Sequence, residues 1–301
     1  MAKFECYKDM HSFNRNLMED DYNDGQLYTV KLKNKVNGVS NDTTAKVGEA
    51  KDGSHKLALE NKVKGTISEL GGFDFESKYK NNGDMDFQST WHFLNKIEGL
   101  ENLNFKYEIT GNTAKGLTNH KAGLEMDNDT VKSKILFTVD KNPTFNNESA
   151  VRTPWGFTFG TKNSLLVTDP TKAHSGEVSV AGHWDKAVQW GLLYKHAYAG
   201  TWAPKACSLY FNHENNGNVA GAEFAYDYAS KKFDSKLGVK LTQEDHTWKF
   251  RVHGDGLLRA ALQWQMHKAV KTTLISSVNL KDVPAGKVSG IPLGWNFEVK
   301  Y

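Results

Sequence analysis

The feature that most constrains this chain is an alternation of apolar and polar residues, repeated in short segments along most of its length. In GFDFESKY, Phe73, Phe75 and Tyr79 fall on one side, whereas Asp74 and Glu76 fall on the other. A period of two places successive side chains on opposite faces of a β-strand, whereas a helix repeats every 3.6 residues. The same rhythm returns late in the chain in TWKFRVH, LRAALQWQM and IPLGWNFEV. These segments are therefore predicted to be strands.

About 19 such segments lie between Gln26 and Tyr301, with short clusters of Gly, Asn and Asp between them. The clusters NNGD, ENNGN, HGDG and NDGQ supply residues that tolerate positive φ, as tight hairpin turns require. Short connections favour antiparallel neighbours, so we predict one continuous meander. The alternation is weakest over residues 142–154, where Pro143 and Pro154 interrupt it. We predict a longer loop there, running into a strand.

The N-terminal segment follows a different pattern. Phe4, Tyr7, Met10, Phe13 and Leu17 recur at spacings of three and four among polar residues. This spacing predicts one short amphipathic helix, which either packs on a core or gates a lumen, and both hold if it packs inside a barrel. The chain is accordingly divided into a helical segment, residues 1–24, and a β-domain, residues 25–301.

So many strands must close into a barrel or split into a sandwich, because long open sheets expose their edges. A soluble structure would turn the apolar faces inward, whereas a membrane barrel turns them toward lipid. Alternation alone does not choose between these two architectures. Segments of about ten residues fit a tilted membrane-crossing strand, and Tyr79, Trp155 and Trp202 lie near predicted turns, as in an interfacial girdle. We therefore favour a transmembrane β-barrel of about 19 strands.

An odd strand number has a topological consequence. In an up-and-down meander closed by an odd number of strands, the first and last strands must run parallel. This predicts parallel pairing between the segment from Gln26 to Lys35 and the segment from Ile291 to Tyr301.

Composition narrows the function classes. Hydrophobic residues make up 39% of the chain, and no apolar run approaches the roughly 18 residues of a membrane-spanning helix. The two cysteines, Cys6 and Cys207, form no metal-ligand cluster, and the net charge of +3 does not indicate nucleic-acid binding. No GxSxG, HExxH or phosphate-binding glycine loop occurs. We expect no enzymatic activity, no cofactor, no metal and no nucleic-acid partner.

Several stretches resemble a known family. The order of parts, together with the local sequences of residues 7–35, Gly71 to Tyr79 and Thr247 to Tyr301, is similar to the eukaryotic mitochondrial porin superfamily, and in particular to the voltage-dependent anion channels. The resemblance is diffuse but covers nearly the whole chain. It implies a voltage-dependent, weakly anion-selective pore for metabolites and ions in the mitochondrial outer membrane. Its implied partners are membrane lipid and small anions in transit, such as nucleotides.

The chain departs from the family at two places. The family's Gly-Leu-Lys motif, associated with nucleotide contact, here reads Gly99, Leu100, Glu101, so the lysine is missing. The lipid-facing glutamate that animal members carry on the fourth strand aligns with Ser77, and the neighbouring Glu76 falls on the lumen side. Two alternatives remain open: a porin-like barrel serving as a structural or assembly subunit of a larger membrane complex or protein translocase, and a soluble β-rich binding protein.

In a membrane barrel the inward positions govern selectivity, because each strand presents alternate residues to the lumen. Parity predicts two basic zones, one on the first three strands and one among the last strands, which meet across the seam, and an acidic patch on strands four to six. The predicted lining residues are Lys31, Lys33, Lys46, Lys56, Lys62, Lys236, Lys240, Lys249, Arg251 and Arg259 in the basic zone, and Asp74, Glu76, Asp86 and Glu108 in the acidic patch.

Overall fold

The computed structural model describes residues 7, 10–19, 22, 26–49, 55–68, 72–98, 100–139, 142–169, 174–185, 187–198, 201–283 and 293–300. Within these ranges lie one α-helix, α1 (Ser12–Met18), a 3₁₀ helix (Phe93–Lys96) and nineteen strands. The strands are β1 (Gln26–Val36), β2 (Val39–Glu49), β3 (His55–Ile67), β4 (Phe73–Lys80), β5 (Asp84–Trp91), β6 (Leu103–Asn112), β7 (Gly116–Asp127), β8 (Val131–Thr138), β9 (Thr144–Arg152), β10 (Thr158–Leu166), β11 (His174–His183), β12 (Val188–Tyr198), β13 (Trp202–Asn215), β14 (Asn218–Asp227), β15 (Lys232–Gln243), β16 (His246–His253), β17 (Leu257–His267), β18 (Val270–Asn279) and β19 (Leu293–Lys300).

All nineteen strands form one closed sheet in which each strand pairs with its sequence neighbours. The pairs are antiparallel except at the seam, where β1 runs parallel to β19 with Tyr28 opposite Trp295 and Lys33 opposite Lys300. This confirms the predicted fold class and the parallel closure. A closed sheet leaves no unpaired edge, and a barrel of this strand number encloses a lumen wide enough for water.

The predicted turn residues occupy the hairpin ends. Gly83, Gly217 and Gly256 have φ of 88°, 78° and 96°, and Asn216 has φ of 50°. These backbone angles match the right-handed twist of the flanking strands, which explains the choice of Gly and Asn. The NDG part of the NDGQ cluster lies outside the described residues.

The loop predicted over residues 142–154 is wrong, because β9 occupies most of that stretch. Strand β9 pairs with β8 on one side and β10 on the other. Pro143 precedes the strand and Pro154 follows it, so neither proline removes a hydrogen bond from the ladder.

Helix α1 is shorter than the predicted helix. Tyr7 and Met10 precede it, Phe13 and Leu17 lie within it, and Phe4 falls outside the described residues, as does the side chain of Phe13. None of the described helices is long and apolar enough to cross a bilayer.

The described N-terminal residues 7, 10–19 and 22, called the strap below, cross the inside of the barrel. Tyr7 clusters with Ala150 on β9, and Tyr22 clusters with Ile275 on β18. The shorter way around the sheet from β9 to β18 covers ten strands, including these two. The nine spacings between these ten strands add up to about 43 Å within the sheet, and a path over the outer side of the barrel would be longer. Fifteen residues that include a seven-residue helix reach only about 40 Å. The strap therefore takes the shorter path through the lumen.

The opposite face of the sheet is apolar and exposed. On β1, Tyr28, Val30 and Leu32 are 58%, 40% and 36% exposed, and Phe159, Trp248 and Trp295 continue this surface elsewhere. None of the outward residues in regular strand pairs whose side chains are described is Asp, Glu, Lys or Arg. Trp155 and Trp184, in the connections after β9 and β11, are 82% and 77% exposed. This face is the inverse of a soluble protein surface.

Candidate functional site

The lumen wall carries all fourteen predicted lining residues. Register ties their positions together: Lys31 lies opposite Thr44, Thr44 lies opposite Glu60, and the same face continues around the barrel. Residues paired in register share one face of a sheet. Their role in conduction stays a prediction. The fourteen are Lys31, Lys33, Lys46, Lys56, Lys62, Lys236, Lys240, Lys249, Arg251, Arg259, Asp74, Glu76, Asp86 and Glu108.

Several acidic groups on this wall are neutralised by neighbouring strands, whereas others, such as Asp42, Glu60 and Asp86, form no ion pair with a described residue. Glu76 lies 2.7 Å from Lys62, 2.9 Å from Lys64 and 3.2 Å from Lys78. Glu108 pairs with Lys134 in the same way. Cross-strand pairs of opposite charge stabilise a sheet only modestly, but they cancel the local field.

Some of the lysines form no such ion pair, although one of them, Lys31, lies opposite the carboxylate of Glu298. Lys31, Lys46, Lys56 and Lys240 form no ion pair with any residue that the structure describes. Three of them lie on β1–β3, beside the seam. Unpaired cations lining a polar lumen produce a positive field that attracts anions.

The strap rests on small residues of the lumen wall. A Cβ added to Gly160 would lie 2.6 Å from the ring of Tyr7, and one added to Gly238 would lie 3.0 Å from Met18 Sδ. A Cβ on Gly221 would lie 2.8 Å from a methyl group of Leu17. Ala150 and Ser179 complete this track and are 0% and 2% exposed. Backbone can approach closely only where side chains are small. Sequence reasoning missed the track, although the lumen parity of these glycines could have revealed it.

Three polar contacts fix the first half of the strap. The Tyr7 hydroxyl donates to Glu177 at 2.8 Å, and Asn14 Nδ2 donates to Glu223 at 2.9 Å. His11 Nδ1 bonds the hydroxyl of Tyr210, whose ring it meets edge-on. Since Glu177, Tyr210 and Glu223 stand on β11, β13 and β14, these bonds span the same arc of wall as the glycine track.

Two predicted lining residues anchor the end of α1. Lys249 Nζ donates to the carbonyl oxygen of Asn16 at 3.1 Å, and Arg251 Nη1 donates to that of Met18. Arg251 also stacks over the Tyr22 ring, 4.6 Å from its centre. The last carbonyls of a helix have no intrahelical partner and carry partial negative charge, so cations suit this position. Lys249 and Arg251 therefore hold the strap as well as lining the wall.

Burial shifts the titration of the strap. Desolvation lowers the pKa of His11 to about 4, although Glu177 and Glu223 act in the opposite direction. Desolvation also raises the pKa of Tyr7, and the carboxylate of Glu177 adds to that shift. Burial disfavours the charged form of each side chain, so both groups are neutral near pH 7.

A cavity of about 200 Å³ lies between the strap and the wall. Its polar lining consists of Asn16, Gln189, Asn212, Glu214, Lys240 and Lys249. Asn212 is only 3% exposed, and both atoms of its amide lack a hydrogen-bond partner among the described residues. The two ammonium groups outnumber the single carboxylate, and together with the amides they suit a small anion.

No family model and no curated protein matches this chain. Among solved structures, one mutant of the Rh. blastica porin has a TM-score of 0.47 at 10% identity, covering 81% of this chain and 95% of that chain. A second mutant of that porin scores 0.47 at 9% identity, with coverages of 87% and 98%. The translocation pore of the P pilus usher PapC scores 0.39 at 10% identity, covering 80% of this chain and 57% of that chain. At these scores the likenesses carry no functional inference.

Proposed function

We propose that this chain is a membrane-inserted pore that conducts small metabolites and ions with weak anion preference. The observation that carries the proposal is the arrangement of its two faces. The outer wall is apolar, exposed and free of charge at its described paired positions, while the lumen wall is polar and charged. A bilayer requires this arrangement, because only the outward positions meet lipid. A soluble binding protein does not fit, since water would meet the apolar face.

The anion preference rests on the unpaired lysines. Lys31, Lys46 and Lys56 face the lumen without an ion-pair partner among the described residues, and on β1–β3 seven described lumen-facing lysines stand against two acidic residues, Asp42 and Glu60. Phosphate-bearing metabolites would be enriched along this basic wall.

Voltage dependence and placement in the mitochondrial outer membrane belong to the proposal as well. Their support is the resemblance of the sequence to the mitochondrial porins, together with a strap that carries Arg15 and Glu19 inside the lumen. Displacing charged residues through the transmembrane field costs energy that depends on voltage.

Reversal potentials in planar bilayers under a salt gradient test the proposal. Wild-type protein should favour anions, and the variant K31Q/K46Q/K56Q should lower the anion-to-cation permeability ratio roughly twofold. The matched control K115Q/K231Q/K268Q removes three exposed turn lysines and should change the ratio less. Cation selectivity of the wild-type pore, or absence of conductance from correctly folded protein, would contradict the proposal.

A second candidate is a barrel that serves as a subunit of a larger membrane assembly. The strap favours it, because its described residues lie in the lumen beneath ten strands and reduce the open cross-section. Unitary conductance separates the two candidates. A subunit with a closed lumen would conduct little until the strap is removed, whereas a metabolite pore conducts with the strap in place.

A further inference from the structure

Two lysines stand directly opposite each other on the lumen wall, beside the end of α1. Lys240 on β15 and Lys249 on β16 are paired in register, so their side chains leave the same face of the sheet next to each other. Like charges in directly opposed positions destabilise a sheet. Lys249 is buried, and Lys240 forms no ion pair with any residue that the structure describes. An anion between the two ammonium groups would remove this repulsion.

The carboxylate that lines the same cavity, Glu214, is two strands away from Lys240. Glu214 on β13 lies opposite Val219 on β14, which in turn lies opposite Lys240. Two strand spacings separate the backbones of Glu214 and Lys240 by about 10 Å. The carboxylate is therefore too far along the sheet to sit between the two lysines.

A buried amide beside the lysines has no partner either. Asn212 precedes Glu214 by two residues on β13, on the same face, and lies opposite Gln189 on β12. Both the oxygen and the nitrogen of its amide are buried without a hydrogen bond to any described residue. A buried amide left unpaired costs free energy that a hydrogen bond to a ligand would recover. Since the amide both donates and accepts, the best-matched ligand does the same.

The size of the cavity suits an ion of several atoms. Its volume of about 200 Å³ is several times the roughly 30 Å³ that one water molecule occupies. It is smaller than the roughly 300–1,000 Å³ pockets that hold drug-sized ligands. A bare chloride would leave most of the space unfilled, and a nucleotide is too large for it. The polar lining comes from α1 and from four strands, so donors converge from the strap and from the wall.

We propose that this cavity binds one hydrogen phosphate ion, held by Lys240, Lys249 and the amide of Asn212. Hydrogen phosphate supplies negative charge, acceptor oxygens and a hydroxyl, and lysine ammonium groups are common partners of phosphate. Lys249 has three N–H donors, so it binds the ion while it still donates to the carbonyl oxygen of Asn16. The bound ion thus fastens the strap to the wall. This site goes beyond the proposed passage of anions, because an ion in the cavity is retained and not conducted.

Protection of the strap from a protease tests the site. The full chain, folded in a non-ionic detergent, is digested in the presence of increasing inorganic phosphate, with sodium chloride at matched ionic strength as the control. Protease cleaves the unseated strap, whereas phosphate binds only the seated one, so at ten times its Kd phosphate should slow cleavage about tenfold. Chloride should change the rate little. Isothermal titration should give one phosphate per chain.

Substitutions in the cavity should remove this protection. K240Q deletes one ammonium group and relieves its repulsion with Lys249, so the barrel stays folded while the Kd for phosphate rises about tenfold. N212A/K240Q should weaken binding further. K232Q is the matched control, because Lys232 lies on the same strand and the same face, eight residues from Lys240. It should leave the Kd unchanged.

Equal protection by phosphate and by chloride would overturn the proposal, as would a Kd that K240Q and N212A/K240Q leave unchanged. ADP separates the free ion from a phosphate group carried on a larger molecule. Protection by ADP at lower concentrations than by inorganic phosphate would assign the site to a nucleotide and defeat the proposal.

Reversal potentials of the wild-type barrel keep this proposal apart from that of the pore. A pore that keeps its anion preference without binding phosphate defeats only the phosphate site. A barrel that binds phosphate but conducts no ions defeats only the pore.

Discussion

At the scale of single residues, the absence of side chains shapes the lumen. Gly160, Gly221 and Gly238 leave the room that Tyr7, Leu17 and Met18 occupy. Glycine normally weakens a strand relative to a β-branched residue, so its cost here is offset by the strap that packs against it.

Gly160→Val is expected to release the strap while the barrel stays folded. The added atoms would overlap Tyr7 and Met10, and overpacking of this kind costs about 1–3 kcal/mol. Proteolytic cleavage within the first 22 residues of barrel protein in detergent should accelerate about tenfold. Ala58→Val, on an exposed lumen position of β3, is the matched control and should leave cleavage unchanged. Cleavage at the same rate in both variants would contradict the packing described.

His11 should make seating of the strap depend on pH. Its pKa is lowered from the ordinary 6.5 to about 4 by burial, and Lys195 and Arg15 oppose its charge as well. A lowered pKa means that the seated strap favours neutral His11, so this stabilisation is complete above pH 6.5 and is lost as the pH falls toward 4. Strap cleavage should therefore rise by roughly an order of magnitude between pH 7.5 and pH 5.

His11→Gln supplies the control for that pH series. Glutamine keeps a polar side chain near Tyr210 but does not titrate, so its cleavage rate should stay flat over the same pH range. If the wild-type and His11→Gln profiles are equally steep, the dependence arises elsewhere, with Glu177 and Glu223 as the carboxylates nearest to the site.

At the scale of elements, strands with clear alternation were predictable and β9 was not. Its outward residues include Asn147 and Ser149, which are as polar as the lumen-facing Asn146 and Glu148. The period of two is then invisible in hydropathy, because both faces of the strand are polar. Asn147 and Ser149, which face outward, are therefore the residues that concealed the strand from sequence reasoning.

Helix α1 shows a different limit. Its apolar spacing predicted a helix reaching back to Phe4, but the helix begins at Ser12 and has seven residues. A helix of that length is not stable alone, so its bounds are set by tertiary contacts such as those with Lys249 and Arg251. Periodicity reports which face is apolar, and it does not report where the wall stops supporting the helix.

At the scale of the whole molecule, strand number and parity determined most of what could be predicted. Counting alternating segments gave a number close to the nineteen strands observed and led to the parallel seam, and parity assigned the lining residues to one face. Deciding that this face points into the lumen required the path of the strap and the exposure of residues such as Tyr28. The alternating pattern is the same whether the apolar face points inward or outward.

The parallel seam leads to the last prediction, which concerns closure of the barrel. In the C6S/C207S background, V30C and F297C lie opposite each other on β1 and β19. Opposed Cα atoms in neighbouring strands lie within the roughly 4.4–6.8 Å that a disulfide requires. Oxidation of the folded barrel should therefore form a bond that speeds its migration in denaturing gels. Closing so long a loop should also stabilise the fold by about 5 kcal/mol, measured as a higher unfolding temperature.

The off-register pair V30C/V299C is the control. Val299 lies opposite Leu32, two residues further along, which places its Cα about 8 Å from that of Val30. This pair should form little disulfide under the same oxidation. Equal yields from the two pairs would mean that β1 and β19 slide past one another, and no bond from either pair would mean that the barrel is open at this seam. A seam in fixed register is needed for the lumen wall to continue from Glu298 to Lys31 and carry the basic zone across the closure.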